Sequence, residues 1–294
     1  MKLYGSQSMV GPLEKVLVKR PKEAFKKQSQ INDNWESLGY LVRPDFDAAV
    51  NEFSRFLSII ESSGTEINFL PKDNRTGLDS IYTHDPVAAV TNYGVILGSM
   101  GKNARKEEPQ VQEAWYKEAG IPIIGQINYP GTIEGGDVVW LRENMVAIGL
   151  TYRTNKEGIK QFQSIVKPHG VEVLPVPMIH WDGPDAVLHL MSIISMLDTD
   201  LAVVYERLLP IPFRSQLIDL AINLVNVPDQ EYETLGCNVL AVKPRNVLIR
   251  NGNPITVERM RVLGCTVHEF FGDHICYPGS GGPTCLTRPI CRKY

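Results

Sequence analysis

The sequence predicts an α/β protein built from several similar structural units. Three segments, at 87–97, 138–148 and 239–249, each hold two short apolar runs joined by a polar turn, which is typical of β-hairpins. Helical patterns at 46–62, 156–166 and 213–224 each lead to another short strand, such as 66–70 or 171–174. This repeated order of strand pair, helix and strand indicates an α/β fold made of modules, although the residues themselves do not repeat. No low-complexity linker interrupts the chain, so we expect residues 1–294 to form a single domain.

The first elements along the chain are a strand and a long helix. Val16-Leu17-Val18 is a short apolar run that ends at Lys19-Arg20-Pro21. From residue 46 to 62, apolar side chains recur three and four positions apart, which predicts an amphipathic helix. These side chains are Phe46, Ala49, Val50, Phe53, Phe56, Leu57 and Ile60. Ser63-Gly64 then ends the helix ahead of the strand at 66–70.

Length and composition restrict the class of protein. The 294 residues are 43% apolar and 21% charged, as in globular proteins that bury a large core. A net charge of -3 and an isoelectric point of about 6.1 argue against nucleic-acid binding. No apolar run reaches the roughly 18 residues of a membrane span, and the first residues lack the apolar segment of a secretory signal. We expect a cytoplasmic protein without nucleic-acid or membrane partners; the sequence leaves open whether it is a homo-oligomer.

The cysteines fit a reducing compartment better than a disulfide framework. All five lie between Cys237 and Cys291, and their number is odd. A reducing cytoplasm agrees with this pattern. The chain has no C-x₂-C pair and no HExxH sequence, so we expect no metal site. We expect no organic cofactor either.

The segment 279–290 gives the strongest indication of chemistry. Its glycines, Ser280 and Pro283 predict a loop whose backbone can approach a ligand closely. Cys285 follows at once, ahead of a short apolar run. A thiol at the mouth of such a loop can be partly exposed, as a nucleophile must be. The alternative is a small buried apolar residue, which is the commoner role of cysteine.

Three further segments carry candidate functional side chains. Asp85 precedes Pro86 at the entrance to the first hairpin, where an ordinary Asx turn is the alternative. Glu134 and Asp137 bracket two glycines ahead of the second hairpin, which suits either a cationic ligand or a capped turn. His189 lies in an apolar run, either as a buried core residue or as the acid/base partner of a thiol. Together these groups would form a set for nucleophilic catalysis on a cationic carbon.

These segments resemble the guanidino-group-modifying superfamily, which includes dimethylarginine dimethylaminohydrolase, arginine deiminase and the amidinotransferases. The resemblance rests on Ile133-Glu134-Gly135-Gly136-Asp137-Val138, on Leu188-His189-Leu190 and on residues 281–290. It extends over nearly the whole chain, from the strand at 15–21 onward. It implies the pentein fold, in which five ββαβ-type modules form a closed α/β propeller with pseudo-fivefold symmetry around a central polar site.

The resemblance also implies a reaction and the residues that carry it. The expected catalytic residues are Cys285, His189 and Glu134, and the expected substrate-binding residues are Asp85, Arg153, Arg105, Lys106 and Asp137. The arginine of Tyr152-Arg153-Thr154-Asn155 would meet the amino-acid end of the substrate, with a second basic residue from the loop at 101–106. The implied reaction is hydrolysis of the guanidino group of arginine or an N-methylated arginine through a covalent S-alkylthiouronium.

Several alternatives follow from the same residues. Met191 stands two positions after His189, where arginine deiminases usually carry aspartate and dimethylargininases tend to have lysine. Met191 weakens the resemblance to arginine deiminase, and the overall length and the Arg153 segment favour a dimethylargininase-like hydrolase, with arginine deiminase and amidinotransferase as alternatives. A different class is a non-catalytic pentein translation factor, against which the complete catalytic set and the acidic balance argue. A papain-like hydrolase would carry its cysteine before its histidine, the reverse of the order here.

Overall fold

The strands of the protein form five three-stranded sheets. The structure is a computed structural model that describes residues 4–184 and 186–293. In each sheet the middle strand pairs antiparallel with one neighbour and parallel with the other. Hairpins supply four of the antiparallel pairs. The parallel strand needs a longer crossover, which a helix provides. The predicted strand pair, helix and strand is therefore confirmed as the structural unit.

The strands are β1 (Leu13–Val18), β2 (Glu66–Phe69), β3 (Val87–Thr91), β4 (Gly94–Leu97), β5 (Ile123–Gln126), β6 (Val138–Arg142), β7 (Met145–Leu150), β8 (Glu172–Pro177), β9 (Ile194–Asp198), β10 (Leu201–Val204), β11 (Asn223–Asn226), β12 (Val239–Lys243), β13 (Asn246–Arg250), β14 (Thr266–Phe270) and β15 (Arg288–Arg292). The helices are α1 (Pro21–Ala24), α2 (Gln28–Asn34), α3 (Phe46–Ser62), α4 (Glu108–Glu118), α5 (Lys156–Val166), α6 (Ile211–Asp219), α7 (Asp229–Tyr232) and α8 (Pro254–Val262). The crossover helices are α3, α4, α5, α6 and α8. The predicted helices at 46–62 and 156–166 match α3 and α5.

Each crossover helix buries one face against its own sheet or the next. In α3 the buried side chains include Phe53, Phe56 and Ile60, and their spacing of three and four places them on one face. Asp45 caps the start of α3, since its Oδ1 accepts the N–H of Ala48 at 2.8 Å. Gly64, with φ of +85°, takes the left-handed conformation that ends the segment.

The modules contact one another in sequence order, and the last contacts the first. β1 near the start of the chain pairs with β15 near its end, so both ends build one sheet. β15 contacts β3, β9 contacts β12, and β12 contacts β1. The 3₁₀ turn Gly135–Asp137 contacts β3, and the turn Leu190–Ser192 contacts β6. The contacts therefore return to their starting module, as expected of the predicted propeller.

One predicted helix is wrong in its second half. The apolar pattern at 213–224 predicted a single helix, but α6 ends at Asp219 and β11 begins at Asn223. Between them Ala221 takes a left-handed φ of +56°. β11 pairs parallel with β10 along four residues, and these ladder bonds outweigh the helical periodicity of its apolar side chains.

No helix within residues 4–184 and 186–293 combines the length and apolar character that crossing a membrane requires.

Candidate active site

A cavity of about 300 Å³ opens where loops from several modules meet. The side chains that line it include Cys285, His189, Asn238, Arg153 and Lys102. Three of these share one structural position, shortly before the first strand of a module. His189 precedes β9, Asn238 precedes β12 and Cys285 precedes β15. The propeller therefore brings residues that are far apart in the chain to one site.

Two more candidate residues occupy the same position in the remaining modules. Asp85 precedes β3, and Glu134 precedes the 3₁₀ turn that leads into β6. Both are buried, and neither belongs to the described lining of the cavity. Gly136, which lines the cavity, donates its N–H to Asp85. A Cβ added to Gly136 would lie 2.5 Å from His189 Nδ1 and 3.0 Å from Asp85 Oδ1, so only glycine allows this close approach.

Glu134 orients the imidazole of His189. Its Oε2 lies 2.8 Å from His189 Nε2 and 3.4 Å from Arg153 Nη1. Its Oε1 accepts the backbone N–H groups of Gly101 at 2.9 Å and Lys102 at 3.0 Å. Burial opposes ionisation, but the hydrogen bond and charge of His189 and the charge of Arg153 outweigh it and lower the pKa of Glu134. The group beside the imidazole is therefore a carboxylate.

Asp137 supports His189 from behind. Its Oδ1 accepts the N–H of Leu190 at 2.9 Å, and its Oδ2 accepts the hydroxyl of Thr151 at 2.8 Å. Burial raises the pKa of Asp137 to about 6. It is fully buried and does not belong to the described lining of the cavity. The structure thus gives Asp137 no contact with the cavity, where the sequence predicted a substrate-binding group, and uses it to fix the backbone beside His189.

The carboxylates around His189 decide its charge. Burial alone would lower the pKa of the imidazole. Asp137, Glu134 and Asp85 outweigh burial and raise the pKa of His189 to about 9. The imidazole therefore carries a proton at neutral pH and can act as an acid.

Asp85 belongs to a buried ion-pair network. Its Oδ2 accepts a hydrogen bond from Arg105 Nη1 at 2.6 Å, and its Oδ1 accepts the N–H of Gly136 at 3.1 Å. Arg105 also donates to Glu108 and to the carbonyl of Tyr82. Burial opposes ionisation of Asp85, but Arg105 and the nearby imidazoles lower its pKa to about 2.

Cys285 is partly exposed to the cavity, and its backbone carbonyl accepts the N–H of His84, the neighbour of Asp85, at 3.2 Å. The Nδ2 of Asn238 donates to its Sγ at 3.3 Å. Burial, and then the charge of Asp85, raise the pKa of the Cys285 thiol to about 12. The sulfur is therefore a neutral thiol at neutral pH when no cation is present.

The basic residues separate into two groups. Arg153 lines the cavity, as the sequence predicted for a substrate-binding residue. Arg105 is buried in its ion pairs and Lys106 is exposed, and both lie outside the described lining of the cavity. The loop at 101–106 instead contributes Lys102, whose Nζ lies 2.7 Å from Asp79 Oδ2.

Sequence reasoning missed three residues of the cavity: Asn238, Asp79 and Lys102. For Asn238 a signal existed, because it comes directly before the predicted hairpin at 239–249, just as the other candidates come before theirs. For Lys102 the signal was partial, because the loop at 101–106 was expected to supply a basic residue. For Asp79 there was none, since it lies in the short 3₁₀ turn Leu78–Ile81, whose path depends on the assembled modules.

Comparison with known proteins now assigns the family. A family model described as arginine deiminase matches residues 79–221 and 213–292, well over half of the chain. The chain therefore belongs to the arginine deiminase family, within the pentein-fold superfamily of guanidino-modifying enzymes that the sequence resembles.

Individual relatives agree with this assignment. N(G),N(G)-dimethylarginine dimethylaminohydrolase of Pseudomonas aeruginosa is 26% identical over 230 residues, which cover 78% of this chain and 84% of the relative. A solved structure of that enzyme, a Cys-to-Ser variant with citrulline, has a TM-score of 0.76 at 23% identity and covers 94% of this chain and 98% of its own. An amidinotransferase from Microseira wollei has a TM-score of 0.79 at 16% identity, with 99% and 98% covered. At these identities the two structures establish the pentein fold.

Proposed function

We propose that the protein is a cysteine-dependent hydrolase of the guanidino group of arginine or an N-methylated arginine. One observation carries the proposal: the thiol of Cys285 and the imidazole of His189, with Glu134 fixed behind it, face one cavity. A guanidinium ion is cationic and a poor electrophile, so its hydrolysis needs a strong nucleophile, carboxylates and an acid for the departing amine. This site offers all three.

Asp85 and Glu134 hold the guanidinium in this proposal. Both are buried carboxylates with lowered pKa values, so both carry charge. Each Asp85 oxygen has one hydrogen bond with a described residue, and a carboxylate oxygen can accept two. Charge-assisted hydrogen bonds from the planar cation would use the remaining acceptor sites of Asp85. Glu134, whose two oxygens each already have two hydrogen-bond partners, would contribute its negative charge.

The first chemical step is attack by the Cys285 thiolate on the guanidinium carbon. The sulfur lone pair forms the C–S bond, and the C–N bond of the departing amine breaks as His189 gives that nitrogen a proton. The product of this step is a covalent S-alkylthiouronium, with free amine or ammonia.

The second step is hydrolysis. His189, now neutral, takes a proton from water as the water oxygen attacks the same carbon. The C–S bond then breaks, its electron pair returns to sulfur, the second proton of the attacking water passes to the sulfur or to solvent, and a ureido product such as citrulline leaves. No metal or organic cofactor takes part in either step as proposed.

The substrate cation also activates the nucleophile. The Cys285 thiol has a pKa of about 12 without ligand, so hardly any thiolate exists at neutral pH. A positive charge within about 4–6 Å favours the thiolate. Binding of the guanidinium would therefore promote ionisation of the sulfur that attacks it.

Arg153 binds the α-carboxylate of the substrate in this proposal. It lines the same cavity as Cys285, and its guanidinium can bind a carboxylate through two hydrogen bonds. The second basic group expected from sequence was Arg105 or Lys106, but Lys102 is the residue of that loop in the cavity. We therefore propose Lys102 for this role.

The decisive experiment replaces Cys285 with serine. Wild-type and variant protein are incubated with arginine and with N-methylated arginines, and ureido product is measured. Loss of product in Cys285→Ser, with an unchanged circular dichroism spectrum, supports the mechanism, whereas undiminished product would refute it. Adding amine acceptors distinguishes the amidinotransferase alternative, because a transferase forms a new guanidino compound only when an acceptor is present.

A further inference from the structure

Asn238 is the polar side chain in direct contact with the sulfur of Cys285. Its Nδ2 lies 3.3 Å from Sγ, and its Oδ1 accepts the N–H of Thr284 at 3.1 Å. The backbone N–H can only donate, so it must face the amide oxygen. The group that faces the sulfur is therefore the NH₂, a donor.

The surroundings hold this amide in place. Asn238 is only 7% exposed. A Cβ added to Gly282 would lie 2.4 Å from Asn238 Cγ, so the glycine of the nucleophile loop packs directly against the amide. Asn238 is therefore preorganised toward the sulfur before any substrate binds.

The position of Asn238 in the fold gives a second, independent argument. Asp85, Glu134, His189 and Cys285 each come shortly before the first strand of their module, and each belongs to the proposed reaction. Asn238 comes directly before β12 in the remaining module. Asn238 therefore occupies, in the fifth module, the position before the first strand at which each of the other four modules carries a residue of the proposed reaction.

We infer that Asn238 is a catalytic residue that stabilises Cys285 as a thiolate through a charge-assisted hydrogen bond from Nδ2. This inference rests on the proposed function. An ionised sulfur accepts a hydrogen bond far better than a neutral thiol does, so a fixed N–H donor favours the ion. Asn238 acts in this way whether or not the substrate cation is bound.

The donor serves both halves of the reaction. Before attack, it increases the fraction of Cys285 that is ionised. A lower thiol pKa also lowers intrinsic nucleophilicity, but by less than half on a logarithmic scale, so attack still gains. At the end, it stabilises the sulfur as the electron pair of the breaking C–S bond returns to it, because a better thiolate is a better leaving group.

The competing explanation is that Asn238 only shapes the loop through its bond to Thr284. Asn238→Asp separates the two roles. Aspartate keeps an oxygen for the N–H of Thr284, but it has no N–H for the sulfur and adds a negative charge beside it. Asn238→Ala removes both contacts and adds no charge.

The test measures the rate at which iodoacetamide alkylates Cys285 in the full chain at pH 8, by mass spectrometry of the Cys285 peptide. A donor role predicts that alanine reacts about tenfold more slowly than wild type. Aspartate should react more slowly still, because its carboxylate repels the thiolate. A loop-shaping role predicts that aspartate, which keeps the bond to Thr284, reacts faster than alanine; that order, or a wild-type rate in either variant, would overturn the inference. Asn223→Asp, outside the described lining, is the matched control and should react like wild type.

A second measurement is kcat/KM for the best guanidino substrate, which should fall about tenfold to a hundredfold in both variants. If wild type turns over no guanidino compound, the proposed function fails, but the alkylation rates still decide whether Asn238 stabilises the thiolate. Circular dichroism shows whether each variant folds. If aspartate does not, Asn238→Ser replaces it, since serine lacks the reach of Nδ2, and an unchanged alkylation rate in serine would overturn the inference.

Discussion

Two residues of the cavity differ in their surroundings: His189 lies among three buried carboxylates, whereas Cys285 stands on a glycine-rich loop and has hydrogen bonds from the Asn238 amide and the Gly282 backbone. The carboxylates raise the pKa of His189 to about 9. Burial and the charge of Asp85 raise the pKa of Cys285 to about 12. Both groups therefore hold their protons at neutral pH, although one becomes a cation and the other stays neutral.

This difference in charge explains the separate roles proposed for His189 and Cys285. The imidazole is already protonated before substrate binds, because fixed carboxylates balance its positive charge, so it can act as an acid. The thiol is not ionised before substrate binds, because burial and the charge of Asp85 outweigh the hydrogen bond from Asn238 and the charge of Arg105. A guanidinium substrate would supply a positive charge at the carbon to be attacked. The site would then select cationic substrates, because only a cation would increase the ionisation of the thiol that attacks it.

The largest expected effect comes from removing the imidazole. His189→Gln should lower kcat by about 10²–10⁴-fold, which is the usual contribution of a general acid or base. Since His189 also activates water in the second step, the covalent adduct should accumulate. Mass spectrometry of the Cys285 peptide would detect it after incubation with substrate. Turnover at the wild-type rate would place the proton transfer elsewhere.

The ionisation of the Cys285 thiol is tested by adding a cation. A guanidino ligand bound in the cavity should lower the pKa of Cys285 by about 1–3 units, as expected for a nearby opposite charge. Thiolate absorbance near 240 nm, followed against pH with and without the ligand, measures the shift. Cys285→Ser serves as the control, because without the Cys285 thiol the absorbance change that the ligand shifts must be missing from the titration. A ligand that leaves the wild-type titration unchanged would contradict activation by substrate.

A smaller effect is expected when one carboxylate is neutralised. Glu134→Gln removes a charge that raises the pKa of His189, so this pKa should fall from about 9 toward its ordinary value. The acid form is then lost at lower pH, and the alkaline limb of the pH–rate profile should move to lower pH. At pH 8 we expect a rate about tenfold to a hundredfold lower.

The control for that variant is a carboxylate outside the site. Neutralising Glu66, an exposed partner of Lys15 in the strand β2, removes the same charge without touching His189. Glu66→Gln should keep the wild-type pH–rate profile. A shift of equal size in both variants would mean that overall charge, and no specific contact, sets the pKa of His189.

Sequence patterns predicted the repeated structural unit, but not every strand and helix of the five modules. Three hairpins and two helices were predictable because each is local, and their periodicity belongs to a few consecutive residues. The hairpin of β9 and β10 was not predicted. The sheet of β1 with β15 is a pairing between chain ends, which no local pattern reports. The end of α6 was missed because the apolar residues of β11 also fit a helical period.

The site residues likewise fall into those that sequence patterns predicted and those that only the folded structure reveals. Cys285, His189 and Arg153, predicted from motifs and resemblance, line the cavity. Cys285 and His189 come shortly before the first strand of their modules, whereas Arg153 lies in the loop between β7 and α5. Arg105 and Lys106 share a loop with Lys102, and only the folded path of that loop decides which side chain reaches the cavity. Asp137 looked like a ligand-binding residue because it follows two glycines, yet Gly136 serves the close packing of His189 and Asp85, and Gly135 packs against the backbone of His84 and Val87.

The smallest expected effect on activity comes from weakening the fold away from the cavity. Asp45 caps α3 through Ala48, and Asp45→Ala should lower the free energy of unfolding by about 1 kcal/mol. Urea denaturation measures this loss, and kcat/KM for the guanidino substrate should stay unchanged, because neither residue lines the cavity. If this variant lost activity in proportion to stability, the losses expected for His189→Gln and Glu134→Gln would no longer report on chemistry. An unchanged kcat/KM shows instead that the groups around His189 and Cys285, and not the stability of the surrounding modules, determine the rate.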